Sequence, residues 1–467
     1  MHTSTTSTAA LEPWSIEQLQ QATQGYWLND KKPAGQIKRI LTDSRDAESG
    51  DAFLALKGER FDAHDFIAQV AAQGCDIAIV SRPVDAEICQ LVVEDTRLAL
   101  GLLGAYRRQQ NPQLKVIALT GSSGKTTTKE MLGSILSRLA PTLVTRGNLN
   151  NDLGVPVMLL ELRPEHQYAV MELGASHQGE IDYTSNMVQP HVAGIINIGT
   201  AHLGEFGGRD GICRAKSEIY AHISETSIIP AVDDFAEAIR AAVRTEKSLS
   251  FGTGGEVYAS DMVLEAQSSS FTLNTPQGAT TVQLPFAGEH NIENATAAAA
   301  FALAIGINLD DIVAGLEQAV GAKGRLNFIP HKEFLFIDDT YNANPGSMRA
   351  AAEVLAQQQG IRVMVTGDIG ELGSSAAIEH YKLGRDLVSV KGINFVVAVG
   401  EFAPAAQEGA RSTQYGKKMQ AFLNQEQALP FLIDLIETHH PQPISLLFKG
   451  SRYTHMETLM AALMEKL

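Results

Sequence analysis

The segment of clearest chemical meaning runs from Thr120 to Thr127 and has the sequence T-G-S-S-G-K-T-T. An apolar run precedes it, and apolar residues at helical spacing follow it. Glycines allow a tight turn whose backbone N–H groups point at phosphate oxygens, and the N-terminus of the next helix adds partial positive charge. The lysine of such a loop reaches the β- and γ-phosphates, and the hydroxyl after it binds Mg²⁺. We therefore predict a nucleotide site formed by Gly121, Ser122, Ser123, Gly124, Lys125, Thr126 and Thr127.

One position departs from the general phosphate-loop pattern G-x-x-x-x-G-K-[ST], because Leu119 stands where the first glycine belongs. The alternative interpretation is an ordinary Gly-Ser turn between a strand and a helix, with Lys125 as a surface charge. The strand pattern before the loop and the helix pattern after it favour nucleotide binding, because that context places the helix N-terminus against a phosphate.

Three further polar residues, Glu172, His202 and Lys216, follow apolar runs of the same region. Ligands of open parallel sheets bind beyond the carboxyl ends of the strands. Mg²⁺ prefers oxygen ligands, so Glu172 suits it, His202 is less expected, and Lys216 would need chemical modification. Taken singly, they have ordinary alternatives: a solvated carboxylate, a structural histidine and a surface charge at a helix start. Their placement at successive strand ends favours a metal site.

The composition excludes several classes of protein. The chain has 467 residues and a net charge of −16, which disfavours nucleic-acid binding because phosphate contacts need clustered Lys and Arg. Its three cysteines are far apart in sequence, so no disulfide or metal framework follows. The N-terminus lacks a signal-peptide pattern, and no apolar stretch is long enough to span a bilayer. We expect a cytoplasmic protein without membrane insertion.

Alternating strand and helix patterns predict an α/β fold with three domains. The boundaries fall at 1–110, a small N-terminal α/β substrate domain; 111–323, a central parallel-sheet domain with the phosphate loop; and 324–467, a Rossmann-like α/β domain. A polar segment at 107–112 is interpreted as the first linker, and 271–286 as an inserted hairpin.

At this point the motifs resemble those of the Mur ligase family, over almost the whole chain. The family has a shortened phosphate loop, which accounts for Leu119. The segments M-E-L-G at 171–174, N-I-G-T-A-H at 197–202 and A-K-S-E at 215–218 resemble its metal-site segments, and G-E-H-N-I-E-N at 288–294 resembles its adenine-side motif.

The resemblance implies roles for individual residues. Thr126 and Glu172 would hold one Mg²⁺ ion, and His202 with a carbamylated Lys216 would hold or orient a second. Asn291 and Asn294 would lie near the base, although an Asn cap at a helix start is the ordinary alternative. Arg325 would meet the phosphates from the third domain, and Asp339 belongs to that domain's substrate segment. The catalytic residues implied are Lys125, His202, Lys216 and Arg325, and the further ATP-binding residues are Asn291, Asn294, Arg325 and Asp339.

Within the family, the segment N-A-N-P at 342–345 resembles members that add D-alanyl-D-alanine to a UDP-linked muramoyl tripeptide. T-D-S-R at 42–45 and L-K-G at 56–58 resemble their UDP-sugar docking region, with turns around a small domain as the alternative. The substrate-binding residues implied are Ser44, Arg45, Lys57, Asn150, Asn342 and Asn344.

The resemblance thus implies an ATP-dependent amide ligase that acts through an acyl phosphate in peptidoglycan precursor synthesis. UDP-N-acetylmuramoyl-tripeptide, D-alanyl-D-alanine, ATP and Mg²⁺ would be its partners, and we expect a monomer. Two alternatives stay open: a relative that adds a diamino acid, lysine or folate glutamate, and a nucleotide-binding regulatory module without catalysis.

Overall fold

Helices and strands alternate along most of the chain in a computed structural model, which describes residues 11–58, 61–200 and 203–467. His202 and residues 1–10, 59–60 and 201 therefore lie outside the described residues. Through the first half of the chain the elements are α1 Ile16–Thr23, β1 Tyr26–Trp27, β2 Arg39–Leu41, β3 Asp51–Leu54, α2 Ile67–Ala72, β4 Ile77–Val80, β5 Cys89–Val92, α3 Thr96–Gln109, β6 Lys115–Thr120, α4 Lys125–Ser137, β7 Thr142–Val144, α5 Gly154–Leu160, β8 Tyr168–Glu172, α6 Glu180–Val188, β9 Val192–Ile195 and α7 Arg209–Ser217.

The second half continues the alternation, apart from one run of three antiparallel strands. Its elements are β10 Thr226–Pro230, α8 Ala236–Ala242, β11 Lys247–Phe251, β12 Tyr258–Leu264, β13 Ser269–Thr275, β14 Gly278–Leu284, α9 Glu289–Ala304, α10 Leu309–Glu317, β15 Asn327–His331, β16 Phe334–Asp338, α11 Pro345–Ala356, β17 Ile361–Gly367, α12 Ala376–Ser389, β18 Phe395–Val399, α13 Ala403–Arg411, β19 Met419–Phe422, α14 Gln425–His439, β20 Ile444–Lys449 and α15 Met456–Lys466.

The chain forms two compact units that interleave in sequence. The first comprises residues 1–118, 140–173 and 182–190, and the second comprises residues 119–139, 174–181 and 191–467. The first unit holds a five-stranded sheet of order β1-β5-β4-β3-β2, in which only β1 runs antiparallel to its neighbour. Trp14, Trp27 and Leu100 are buried in its core. The division into three consecutive domains stays a prediction.

The strands around the phosphate loop have the order β11-β10-β9-β6-β8-β7. In the first unit β7 pairs with β8 in parallel, and in the second unit β9, β10 and β11 also run parallel. The expected hairpin is present as β13 and β14, joined antiparallel with β12 into a three-stranded sheet. The parallel strands place the ends of β6 and β9 where polar loops begin.

The last sheet, in the second unit, has the order β15-β16-β20-β17-β18-β19. All its pairs are parallel except β15 with β16. Helices cover both faces: α11, α12 and α13 pack into one core, and α14 and α15 into another. Because β20 returns between β16 and β17, the loops that follow these three strands lie at one edge of the sheet.

The interpretation of 107–112 as a linker is wrong. Arg107 and Arg108 lie in the last turn of α3 and are buried. The Arg107 guanidinium lies 4.1 Å from the Trp14 ring centroid, and Arg108 Nε donates to Val188 O at 3.0 Å. Arginines bury their stems readily where carbonyls accept from the guanidinium, so a basic polar run was a poor sign of exposure here.

Candidate functional site

The phosphate loop turns through Gly124, whose φ is +77° at the N-terminus of α4. A side chain there would be strained, and a Cβ would lie 2.2 Å from Asn294 Oδ1. Asn197 Oδ1 accepts from the backbone N–H of Ser122 at 3.2 Å and of Ser123 at 3.0 Å. Asn197, two residues beyond β9, therefore holds the loop in place, and Asn294 of α9 packs against Gly124.

Two cations meet this loop. Lys125 Nζ donates to Gly121 O at 2.8 Å, so the lysine folds over its own turn. Arg325 Nη2 donates to Thr126 Oγ1 at 2.9 Å from 199 residues away in sequence. Within the described residues, the buried Ser122 Oγ has no hydrogen-bond partner. A helix N-terminus, two cations and an unsatisfied hydroxyl fit a polyphosphate chain.

The two asparagines of α9 are interior residues of the helix. Gly288 is the residue before the first turn, so the interpretation of these asparagines as caps is wrong. Asn291 Nδ2 donates to Ala287 O at 2.8 Å, and Asn294 Nδ2 donates to Asn291 Oδ1 at 3.2 Å. Thr128 Oγ1 donates to Asn294 Oδ1 at 3.4 Å. This chain of amides joins α9 to α4.

A second polar cluster lies where β16 and β20 end. Lys449 Nζ is 2.7 Å from Asp339 Oδ2 and donates to Asn342 O at 3.0 Å. Burial raises the pKa of Asp339, while the Lys449 ammonium bonded to it opposes that rise. Asp339 Oδ1 also accepts from Leu326 N at 3.3 Å.

Arg325 is placed by this cluster and by an aromatic ring. Its guanidinium carbon lies 4.5 Å from the Tyr341 ring centroid, and Tyr341 N donates to Gly324 O at 3.1 Å. Asn344, the N-cap of α11, accepts from Ser347 N at 2.9 Å, and its Nδ2 is 3.5 Å from Ser122 O. Asn342 is exposed. Arg325, Asp339 and Asn344 therefore gather on the phosphate-loop side of this sheet edge.

Glu172 ends β8 in the first unit and is only 2% exposed, so it is not a solvated carboxylate. Asn150 Nδ2 donates to Glu172 Oε1 at 2.8 Å, and Glu172 N donates to Thr145 Oγ1 at 3.0 Å. A carboxylate supplies oxygen atoms, the ligand type that Mg²⁺ prefers.

Lys216 lies in the last turn of α7 and is buried, so the expectation of a helix start is wrong, and so is the alternative interpretation as a surface charge. Its side chain is fully buried, with a relative exposure of 2%.

Over residues 11–58, 61–200 and 203–467, no group of three or more His, Cys, Asp and Glu side chains could hold a metal ion. In the same part of the chain, no helix is both long and apolar enough to cross a bilayer.

The candidate UDP region is exposed and held by carboxylates. Asp43 accepts from the N–H and the Nε of Arg45 at 3.0 and 2.8 Å, and these bonds lower the pKa of Asp43 to about 2. The Arg45 side chain is 84% exposed. Lys57 is exposed, and its backbone forms an isolated antiparallel β-bridge with Asp62. Ser44 is half-buried.

Sequence reasoning gave no role to Asn197 or Lys449. Asn197 lies just beyond β9 and Lys449 is the last residue of β20, so the rule that placed Glu172 at a strand end applies equally to them. Their partners could not be read from spacing, because Lys449 and Asp339 are far apart in the chain and meet only through the parallel pairing of β16 with β20.

The fold and the loop define a phosphate-loop α/β protein. Three family models match it in order: "Mur ligase family, catalytic domain" over residues 36–118, "Mur ligase middle domain" over 119–302, and "Mur ligase, glutamate ligase domain" over 324–452. The chain belongs to the Mur ligase family. The predicted three-part α/β fold class is confirmed.

Relatives with named activities support this assignment. UDP-N-acetylmuramoyl-tripeptide--D-alanyl-D-alanine ligase of Escherichia coli is 44% identical over 435 residues, which cover 92% of this chain and 94% of that protein. A crystal structure of MurF from Acinetobacter baumannii superposes with a TM-score of 0.95 at 71% identity, covering 98% of this chain and 100% of that one. MurF from Thermotoga maritima in complex with ADP gives a TM-score of 0.79 at 27% identity, covering 92% and 97%.

Proposed function

We propose that this chain joins D-alanyl-D-alanine to UDP-N-acetylmuramoyl-tripeptide at the expense of ATP, in peptidoglycan precursor synthesis. The observation that carries the proposal is the convergence of Lys125 and Arg325 on one phosphate loop. The Escherichia coli relative carries this activity in its name, and the Thermotoga maritima relative binds ADP, which supports ATP as the nucleotide. A cytoplasmic location stays a prediction.

The reaction must activate a carboxylate, which is a poor electrophile because its charge is delocalised. A carboxylate oxygen of the tripeptide attacks the γ-phosphorus, ADP leaves, and an acyl phosphate forms. The amine of D-alanyl-D-alanine then attacks the acyl carbon, phosphate leaves with the C–O bond electrons, and the amine loses a proton. Lys125 and Arg325 neutralise the charge that moves between oxygens during the first step.

Other residues of the chain position the substrates. Asn291 and Asn294 lie on the adenine side of the loop, and Asp339 completes the nucleotide site from the last domain. Ser44, Arg45 and Lys57 bind the UDP moiety, whose diphosphate suits exposed cations. The remaining substrate contacts are assigned to Asn150, Asn342 and Asn344. Domains at 1–110, 111–323 and 324–467 would each carry one substrate.

Two Mg²⁺ ions would complete this site. Thr126 and Glu172 would hold one, and His202 with a carbamylated Lys216 would hold or orient the other. Lys216 is buried, and carbamylation by CO₂ would give it a negative head with the oxygen atoms that Mg²⁺ prefers. When bound, the ions neutralise phosphate charge and orient the oxygens.

The test is to identify the product and count phosphate. The protein is incubated with ATP, Mg²⁺, D-alanyl-D-alanine and UDP-muramoyl tripeptides that end in lysine or in diaminopimelate. We expect one phosphate per product, with a mass equal to tripeptide plus dipeptide minus water. Phosphate release with glutamate or diaminopimelate as the amine, but not with D-alanyl-D-alanine, would indicate a different ligase. Nucleotide binding without release under any condition would indicate a regulatory module.

A further inference from the structure

Lys449 is a buried cation at the end of β20 that the mechanism above does not use. Its side chain is 5% exposed, and its ammonium lies between the carboxylate of Asp339 and the carbonyl of Asn342. Removing one partner of a buried ion pair leaves an uncompensated charge, so such pairs hold their surroundings in one arrangement. The surroundings here are the segment that carries Arg325.

The path from Lys449 to the phosphate loop has three contacts. Lys449 holds Asp339 Oδ2, and Asp339 Oδ1 accepts from the N–H of Leu326, the residue after Arg325. Leu326 has a φ of +52°, a left-handed conformation that a leucine rarely adopts unless its surroundings impose it. That backbone turn directs Arg325 toward Thr126 Oγ1, at 2.9 Å.

A second path fixes the ring under the guanidinium. Lys449 donates to the carbonyl of Asn342, the residue after Tyr341. Tyr341 in turn donates its N–H to Gly324 O and places its ring 4.5 Å from the Arg325 guanidinium carbon. One ammonium therefore holds both the backbone beside Arg325 and the loop on which Arg325 rests.

We propose that Lys449 is a positioning residue for the ligase reaction, which sets the direction in which Arg325 approaches the phosphate loop. This inference rests on the proposed function, and it assigns Lys449 no contact with substrate. A misplacement of about 1 Å in a reacting group costs about 100-fold in rate, and a loosened Arg325 would be misplaced in this way. We expect the loss in kcat, because Lys449 bonds the backbone carbonyl of Asn342 and not the side chain of that residue.

The experiment is a double-mutant cycle of Lys449→Met with Arg325→Ala, assayed by phosphate release with all three substrates. We expect Lys449→Met to lower kcat by about 100-fold with little change in KM for the dipeptide. Arg325→Ala should lower kcat by about 10³-fold, and the double variant should fall no further, because both changes remove the same group from the reaction. Melting temperature and ADP affinity are measured in parallel, since a purely structural loss would change stability without this non-additivity.

Lys418→Met is the matched control. Lys418 Nζ donates to Val388 O at 3.3 Å, but Lys418 lies at the amino end of β19, the opposite edge of the same sheet. Its kcat should stay near that of the unchanged protein. If Lys449→Met does not fold, Asp339→Asn/Lys449→Met removes both charges and leaves no lone buried carboxylate. Its kcat should be low and insensitive to Arg325→Ala.

Three results would overturn the role of Lys449. An unchanged kcat in Lys449→Met would show that Arg325 is placed without it. Additive losses in the double variant would show an action that does not pass through Arg325. A raised KM for D-alanyl-D-alanine would show that Lys449 acts on substrate binding, directly or through Asn342, and not through Arg325. By contrast, if the protein without any substitution releases no phosphate with these substrates, the proposed function itself is refuted.

Discussion

The nucleotide site and the candidate UDP region use their cations in opposite ways. Lys125 and Arg325 of the second unit are half-buried, and each already donates to an oxygen of the phosphate loop. Arg45 of the first unit is 84% exposed and is paired with its neighbour Asp43. Preorganised dipoles act strongly on charge that develops in a transition state, whereas an exposed cation contributes mainly to binding. We therefore expect substitutions in the nucleotide site to lower kcat and substitutions in the candidate UDP region to raise KM.

The largest effect is expected for Lys125→Met, which removes a cation from the phosphate loop. The rate of phosphate release should fall by about 10³-fold, because one group that stabilises transferred charge is lost. Lys115→Met, at the amino end of β6, is the matched control and should keep near-normal activity. A Lys125→Met protein with more than a tenth of normal kcat would place Lys125 outside the chemistry and would break the comparison.

Lys216→Ala should follow, with a loss of about 10²-fold in product formation and little change in ATP binding. The variant removes the group that carbamylation would convert into a metal ligand. Short-chain carboxylic acids should restore part of the activity by supplying the missing oxygens, while the same concentration of chloride should not. Normal activity in Lys216→Ala would remove this lysine from the mechanism.

A smaller effect, confined to substrate binding, is expected for Arg45→Ala. Loss of one charge-assisted hydrogen bond to a diphosphate should raise KM for the UDP substrate by about tenfold, with kcat unchanged. Arg82→Ala is the control, because Arg82 is also an exposed arginine paired with an aspartate of the first unit. Equal KM values for the two variants would show that the UDP moiety does not use Arg45.

Sequence reasoning located the phosphate loop correctly between a strand and a helix. Gly124, Lys125 and Thr126 are neighbours in the chain, so the strand pattern before them and the helix pattern after them were enough to place the turn. It failed where burial decides: the interpretation of Arg107 as a linker residue is wrong, and so is the alternative interpretation of Lys216 as a surface charge. Long polar side chains have stems that pack against apolar groups, so their exposure depends on tertiary partners. The contact of Arg325 with Thr126 likewise required a fold that brings together residues 199 positions apart.

The smallest effect concerns the stability of the first unit, to which the candidate UDP region belongs. Asp62 accepts from the N–H of His64, and this bond lowers its pKa to about 2 from an ordinary 3.8. Because the folded state holds this carboxylate ionised, its contribution to stability is present above pH 4 and is lost as the pH falls toward 2. Asp62→Asn should therefore lower the free energy of unfolding by about 1 kcal/mol at neutral pH, allowing for solvent screening.

The difference between Asp62→Asn and the unchanged protein should shrink as the pH falls below 4. Urea titrations followed by tryptophan fluorescence would measure it, because the only two tryptophans, Trp14 and Trp27, are buried in the first unit. Asp65→Asn, whose side chain is 74% exposed, is the control and should show no such pH dependence. A constant difference from neutral to acid pH would mean that the negative charge of Asp62 does not stabilise the first unit.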